Sequence, residues 1–262
     1  MKTLIAVLLM GLFAAQAQAA IKTETVEYRD GEAVLEGFLA YDNAIRGKRP
    51  GVIVVHEWMG LEDYAKKRAV QLAELGYVAF AVDMYGKGVR AKDHKEAGQL
   101  AGYYKSDRAR MRARIGAGLD ELRKHPLADP QRIAAIGYCF GGTSVLELAR
   151  SGADIAGVVS FHGALGTPNT EDARNTKAKV LVFHGASDPS ISAEDVKAFQ
   201  DEMTRGNVDW QMVLYGGAVH SFTNPGAGSD PSRGSAYDAK ADQRSWEGMK
   251  LFFRELFGPP KP

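Results

Sequence analysis

The sequence predicts an α/β fold: a mostly parallel central sheet with helices on both faces. Short apolar runs rich in β-branched residues alternate with longer amphipathic stretches along nearly the whole chain, and such alternation builds a parallel sheet covered on both sides. The runs themselves ("GVIVV", "VAFAV", "VLVF") are almost continuously apolar, as strands buried on both faces must be. A third observation concerns position. Glu57, Cys139 and Asp188 each follow such a run, and His220 lies just beyond another. In parallel sheets, sites assemble outside the carboxyl ends of strands.

The elements follow in order. Residues 1–19 read as a signal peptide, with Lys2, an apolar stretch from Leu4 to about Ala15, and small residues at Ala17 and Ala19 before a cut at Ala20. The stretch is short for a membrane span and no charged stop-transfer flank follows it. The expectation is a periplasmic or secreted protein, free of the membrane after cleavage, with a single domain over residues 20–262. "TETVEYRDGEAVLEGFLAYD" gives two strands around the Asp30-Gly31 turn. "PGVIVVHE" is a buried strand, and a helix from about Tyr64 to Leu75 is stopped by Gly76. "YVAFAVDMYG" is the next strand. Residues 93–124 are helical with a break near Ser106-Asp107, where the aspartate caps a second helix. Met111, Ile115, Leu119 and Leu122 form that helix's inner stripe, which leaves the arginines of "RARMRAR" on a solvated face. A strand over 132–138 leads into a helix over 141–150. Two further strands, "IAGVVSFHG" and "KVLVFHGASD", are joined by a loop. Ser192 caps a helix to about Thr204, "DWQMVLYGG" is the last strand, and a helix from about Lys240 to Phe257 closes the order.

Charge and composition narrow the function. The chain has 33 basic and 32 acidic residues; without Lys2 the two counts are equal. That balance offers nothing to nucleic acid or to anionic lipid. A single cysteine excludes an internal disulfide. A free thiol in an oxidising compartment is at risk of oxidation, so either chemistry or burial as a small hydrophobe must account for it. No C-x-x-C or H-E-x-x-H pattern is present. His56, His162 and His184 fall near the same sheet edge without metal-ligand spacing, and none of the three is expected to be catalytic. No metal or other cofactor is expected.

Gly137-Tyr138-Cys139-Phe140-Gly141 has the G-x-S-x-G spacing of a nucleophile elbow, with Cys for Ser. A sharp strand-to-helix turn crowds the positions two before and two after the nucleophile, so only small residues fit there. The start of the following helix favours a thiolate, and the Phe140 N–H can donate to a developing oxyanion. Nucleophile, acid and histidine then follow in the order Cys139, Asp188, His220, the chain order of the α/β-hydrolase triad.

With "HEWMG", "DMYG", "GYCFGG", "HGASDP" and "GGAVHSF" in this order, the chain resembles the dienelactone hydrolases, enzymes of the α/β-hydrolase fold with a Cys–His–Asp triad. The resemblance implies Cys139 as nucleophile, His220 as base and Asp188 as its orienter. It implies Glu57 as a carboxylate that contacts the resting thiol, and Trp58 as the second oxyanion-hole N–H beside Phe140. Family members that act on dienelactone clamp its carboxylate with arginines. Here Lys87 stands near one of those positions and Asn224 at the other, and Lys cannot fork a carboxylate as Arg does. Lys87, Asn224 and Tyr85 are candidate substrate contacts. The expected function is hydrolysis of small esters or lactones by a monomer. The alternatives are a non-catalytic binding protein on the same fold and a thiol redox protein built on Cys139.

Overall fold

The computed structural model describes residues 20–259; the signal-peptide expectation for residues 1–19 lies outside them. Strands β1 (Ile21–Asp30) and β2 (Ala33–Asp42) pair antiparallel from Asp30↔Ala33 to Ile21↔Asp42. Gly31 sits at the turn with φ of 56°, a conformation glycine adopts without penalty. The remaining strands are β3 (Arg49–Val55), β4 (Val78–Val82), β5 (Ala128–Tyr138), β6 (Gly157–Phe161), β7 (Lys179–Gly185) and β8 (Trp210–Tyr215). They form one 8-stranded sheet in the order β1-β2-β4-β3-β5-β6-β7-β8. From β4 through β8 every neighbouring pair is parallel; β2 runs antiparallel to both of its neighbours.

Six α-helices cover the sheet: α1 (Asp63–Glu74), α2 (His94–Lys105), α3 (Arg108–Lys124), α4 (Phe140–Arg150), α5 (Ala193–Arg205) and α6 (Ala239–Phe257). Alternate residues of each strand feed opposite cores. Ile53 and Val55 join Tyr104, Ile115, Leu146 and Phe199 from α2 to α5, whereas Val52 and Val54 join Leu72, Met249 and Phe253 from α1 and α6. All four β3 residues are fully buried, and each such side chain contributes about 1.5–3 kcal/mol of transfer free energy. Helix starts follow local chemistry. The Asp107 carboxylate accepts from Arg110 N–H, and Ser192 and Asp195 form a reciprocal capping box.

Three differences from expectation have physical reasons. The arginines of α3 are not a solvated face: Arg112 pairs with Glu147 and Asp172, and Arg114 donates to Asp30 and to the Met84 carbonyl. Helix α4 is buried along its whole length, Glu147 included, and a carboxylate held there needs a cation. Strand β5 begins at Ala128 because its first residues pair with Arg49 and Pro50, before a register shift at Pro50/Gly51. The connection between β6 and β7 contains a 3₁₀ turn, Thr170–Asn175, begun by the Asn169 side chain accepting from Glu171 N–H.

Candidate active site

The turn from β5 into α4 places Cys139 at φ 54° and ψ −113°, a strained backbone for a non-glycine residue. A Cβ on Gly137 would lie 2.0 Å from the Gly141 carbonyl oxygen, and one on Gly141 would lie 2.2 Å from the Val55 carbonyl oxygen. Both positions therefore require glycine. The sulfur is partly exposed at the carboxyl end of the sheet.

His220 Nε2 lies 3.1 Å from Cys139 Sγ, and His220 Nδ1 lies 2.8 Å from Asp188 Oδ2. The Asp188 side chain is fully buried, and its other oxygen accepts from Ser190 N–H at 2.9 Å. Burial alone would lower the imidazole pKa, but the hydrogen bonds and charges of Asp188 and Cys139 push it up to about 10. Asp188 is held below the usual carboxylate range: burial opposes this, and the bonds to His220 and Ser190 outweigh it. The backbone around the histidine is fixed too, since His220 N–H donates to Gly234 and its carbonyl accepts from Ala236.

Sequence reasoning missed a layer of positioning groups behind these three. The Cys139 N–H donates both to the Phe161 carbonyl and to His162 Nδ1, at 3.0 and 3.1 Å. With Nδ1 accepting, His162 carries its proton on Nε2 and donates to Thr223 Oγ1 at 2.7 Å. Tyr64 donates to the same hydroxyl, and Arg68 ties Tyr64 and the Thr223 carbonyl to Asp242 on α6. Burial keeps the His162 pKa well below its usual value, with His220 and Arg68 adding to the effect. Among the described residues, four non-glycine residues have positive φ: Cys139, His162, Asn207 and Ser221. Cys139 and His162 belong to this network, which joins the nucleophile turn to the loop carrying His220, and Ser221 follows His220 on that loop. A second buried imidazole, His56, accepts from Met84 N–H and donates to the Glu57 carbonyl; burial pulls it down to about 4. Both histidines end apolar strands, so their position on the shared sheet edge was the available signal.

The remaining candidates divide. Phe140 is the first residue of α4, so its N–H has no acceptor within the helix. Trp58 lies on the loop after β3, where its carbonyl accepts from the Tyr85 hydroxyl at 2.9 Å. Tyr85 is buried against His56, Tyr104 and Phe140 and so positions the Trp58 loop. The Glu57 carboxylate does not hydrogen-bond the sulfur; it accepts from Asn224 Nδ2 and from Ser221. The reason is local, since the Asn224 amide reaches Glu57 directly. Burial raises the Glu57 pKa, against the opposing pull of Asn224. Asn224 is therefore a Glu57 partner in this state. Lys87 pairs with Glu27 on β1 at 2.6 Å on the exposed surface, turned away to the nearest carboxylate.

A cleft of about 840 Å³ opens beside the site, walled by Glu57, Trp58, Tyr64, Ser221, Asn224 and Arg233. His94 packs against Trp58 at its edge, the rings tilted by 31°. Among the described residues, no group of three or more His, Cys, Asp or Glu could hold a metal ion.

A cysteine on a strained strand-to-helix turn, an imidazole and a buried carboxylate, all on this sheet, define an α/β-hydrolase-type enzyme. The family model for the dienelactone hydrolase family matches residues 35–257, and the chain belongs to that family. Two solved structures show how close the likeness is. A dienelactone hydrolase-like promiscuous phosphotriesterase, P91, from metagenomic libraries is 45% identical with a TM-score of 0.87, over 92% of this chain and 100% of its own. A structure titled m3DLH is 43% identical with a TM-score of 0.88, over 91% and 99%. The protein K02A2.1 of Caenorhabditis elegans is 40% identical over 159 residues, covering 58% of this chain and 98% of its own.

Proposed function

We propose that this hydrolase cleaves small carboxylic esters and lactones through a thioester on Cys139. The single observation that carries the reading is the unbroken line from Cys139 Sγ through His220 to buried Asp188. His220 takes the thiol proton, and the sulfur attacks the carbonyl carbon. The N–H groups of Phe140 and Trp58 donate to the oxyanion. On collapse the C–O bond breaks and the His220 imidazolium protonates the leaving alkoxide; in a lactone the alkoxide stays attached to the acyl group. Water, deprotonated by His220, then attacks the thioester, and the carboxylic acid leaves as the sulfur is released. Asp188 holds the tautomer and stabilises the imidazolium throughout.

Substrate preference follows from the charge balance of the cleft, where Arg233 stands among Glu57, Glu62 and Asp63. Lys87 is paired elsewhere and Asn224 carries no charge. Uncharged esters and lactones therefore suit this cleft better than substrates carrying a carboxylate. The 45%-identical relative is named for promiscuous phosphotriester hydrolysis, and an aryl phosphotriester belongs in the substrate panel for that reason. The "MKTLIAVLLMGLFAAQAQAA" opening supports action in the periplasm or outside the cell.

The test is p-nitrophenyl acetate turnover by the wild type, Cys139→Ala and His220→Ala, with quenched-flow mass spectrometry of the wild type. The expected result is loss of turnover in both variants and an acetyl adduct on the Cys139 peptide. Turnover that survives Cys139→Ala overturns the proposal.

A further inference from the structure

We infer that the opposite end of the sheet carries a second site, which binds a small oxyanion of phosphate size on the guanidinium of Arg49. A cavity of about 60 Å³ lies at the amino ends of β3 and β5, lined by Arg46, Lys48, Arg49 and Arg132 together with Tyr77 and Phe257. Four cations face it, and no carboxylate among the described residues lines it.

Arg49 is the centre of the argument. It is only 5% exposed. Its Nη1 donates to the Ile45 carbonyl at 2.7 Å, while Nε and Nη2 are buried without a partner among the described residues. These two nitrogens form one edge of the planar guanidinium, the edge that binds two oxygens of a phosphate, sulfate or carboxylate side by side. The Asp42 carboxylate acts on Arg49 from nearby. It accepts from the Ala20 and Ala44 N–H groups and forms no ion pair with Arg49. Burial lowers the Arg49 pKa from its ordinary value despite Asp42 and Tyr41, a penalty that an anion in the cavity would offset.

Two helix ends offer the cations another partner, and they are too weak to satisfy them. Helices α1 and α6 end at Leu75 and Phe257, both on the cavity wall. Each contributes about half a negative charge, against four full positive ones. The Phe257 carbonyl is already taken by Arg132 Nη2. Size sets the ligand class. The cavity is far below the roughly 300–1,000 Å³ of an organic ligand pocket, and its volume of about 60 Å³ suits a small ion. Strand β3 separates this cavity from Glu57. At about 3.3 Å per residue its seven residues span roughly 20 Å, so an anion bound here would leave the Cys139 site open.

The test is thermal unfolding of the full protein in inorganic phosphate, sulfate and chloride at fixed pH and ionic strength. Phosphate and sulfate should raise the unfolding temperature along a saturating curve, and chloride should not. Arg49→Met should weaken phosphate by at least about tenfold, while Lys197→Met, which removes an exposed cation on α5, should leave the curve unchanged. Should Arg49→Met not fold, the double exposed variant Arg46→Gln/Lys48→Gln decides, with an expected loss of about threefold or more. The site does not exist if the wild type shows no saturable rise, if chloride matches phosphate, or if the deciding variant keeps the wild-type half-saturation. Ester turnover unaffected by saturating phosphate would confirm that the two sites are separate, and competitive inhibition would place the anion at Cys139 instead.

Discussion

Helix α4 holds buried charge at both ends, and the two ends behave differently. At its carboxyl end the buried ions are paired. Arg150, fully buried, donates from Nη1 to Glu147, from Nε and Nη2 to Glu202, and from Nη2 to the Leu165 carbonyl. Glu147 takes Arg112 as well. At its amino end the groups are held in states that differ from their ordinary ones. His220 is pushed up to about 10, His56 is pulled down to about 4, and Cys139 sits on a strained backbone. Burial is common to both ends. A closed network locks a helix in place, whereas displaced proton affinities beside a partly exposed sulfur leave a group ready to react.

This contrast can be broken at either end. The largest effect should come from Cys139→Ala, which should lower kcat/KM for an ester by on the order of 10⁴–10⁶-fold while leaving the thermal midpoint near that of the wild type. Asp188→Asn should follow at about 10⁴-fold in kcat, because the amide no longer fixes the His220 tautomer. Both are read from steady-state kinetics. At the other end, Arg150→Met leaves Glu202 buried without its cation and Glu147 with one fewer, and should cost about 3–5 kcal/mol of stability. Urea unfolding measures that loss, and activity per folded molecule should remain. His162→Leu removes one of the two acceptors of Cys139 N–H and should lower kcat by about 10–100-fold with KM little changed; His162→Asn, which can still accept, should recover part of it.

The smallest effect is a pH dependence with two opposite signs. His56 and His162 have folded pKa values below the ordinary 6.5. Their contribution is complete above 6.5 and is lost as pH falls toward the folded values, by at most about 1.4 kcal/mol per pH unit for each histidine. His220, raised to about 10, contributes fully below 6.5 and loses that contribution as pH rises through 10. Unfolding free energies measured from pH 4 to 10 should therefore fall on both sides of neutrality. In a His162→Asn variant the acid limb should become shallower.

The chemistry was legible where a residue type and a backbone constraint coincide. Gly137 and Gly141 announced the turn because a Cβ at either position collides with backbone, and Asp188 and His220 each followed an apolar run. Asp107 and Ser192 announced helix starts for a similar reason, since short polar side chains cap free N–H groups. What stayed hidden depends on packing between distant segments. Nothing local to "RARMRAR" indicates that Arg112 meets Glu147, or that Arg114 reaches Asp30 across 84 residues. Asn224 could be placed by its distance from His220, but its amide reaching Glu57 depends on how two loops meet. The His162–Thr223–Tyr64–Arg68 chain draws on three separate segments, and no spacing rule covers it.

The link from Arg68 to Asp242 has a consequence for synthesis. A growing polypeptide carries Cys139 well before His220 is made, and the loop that holds His220 is anchored through Thr223 and Arg68 to α6. That anchor is therefore complete only once α6 has docked. A nascent or clipped chain lacking that helix would carry the His220 loop without this support.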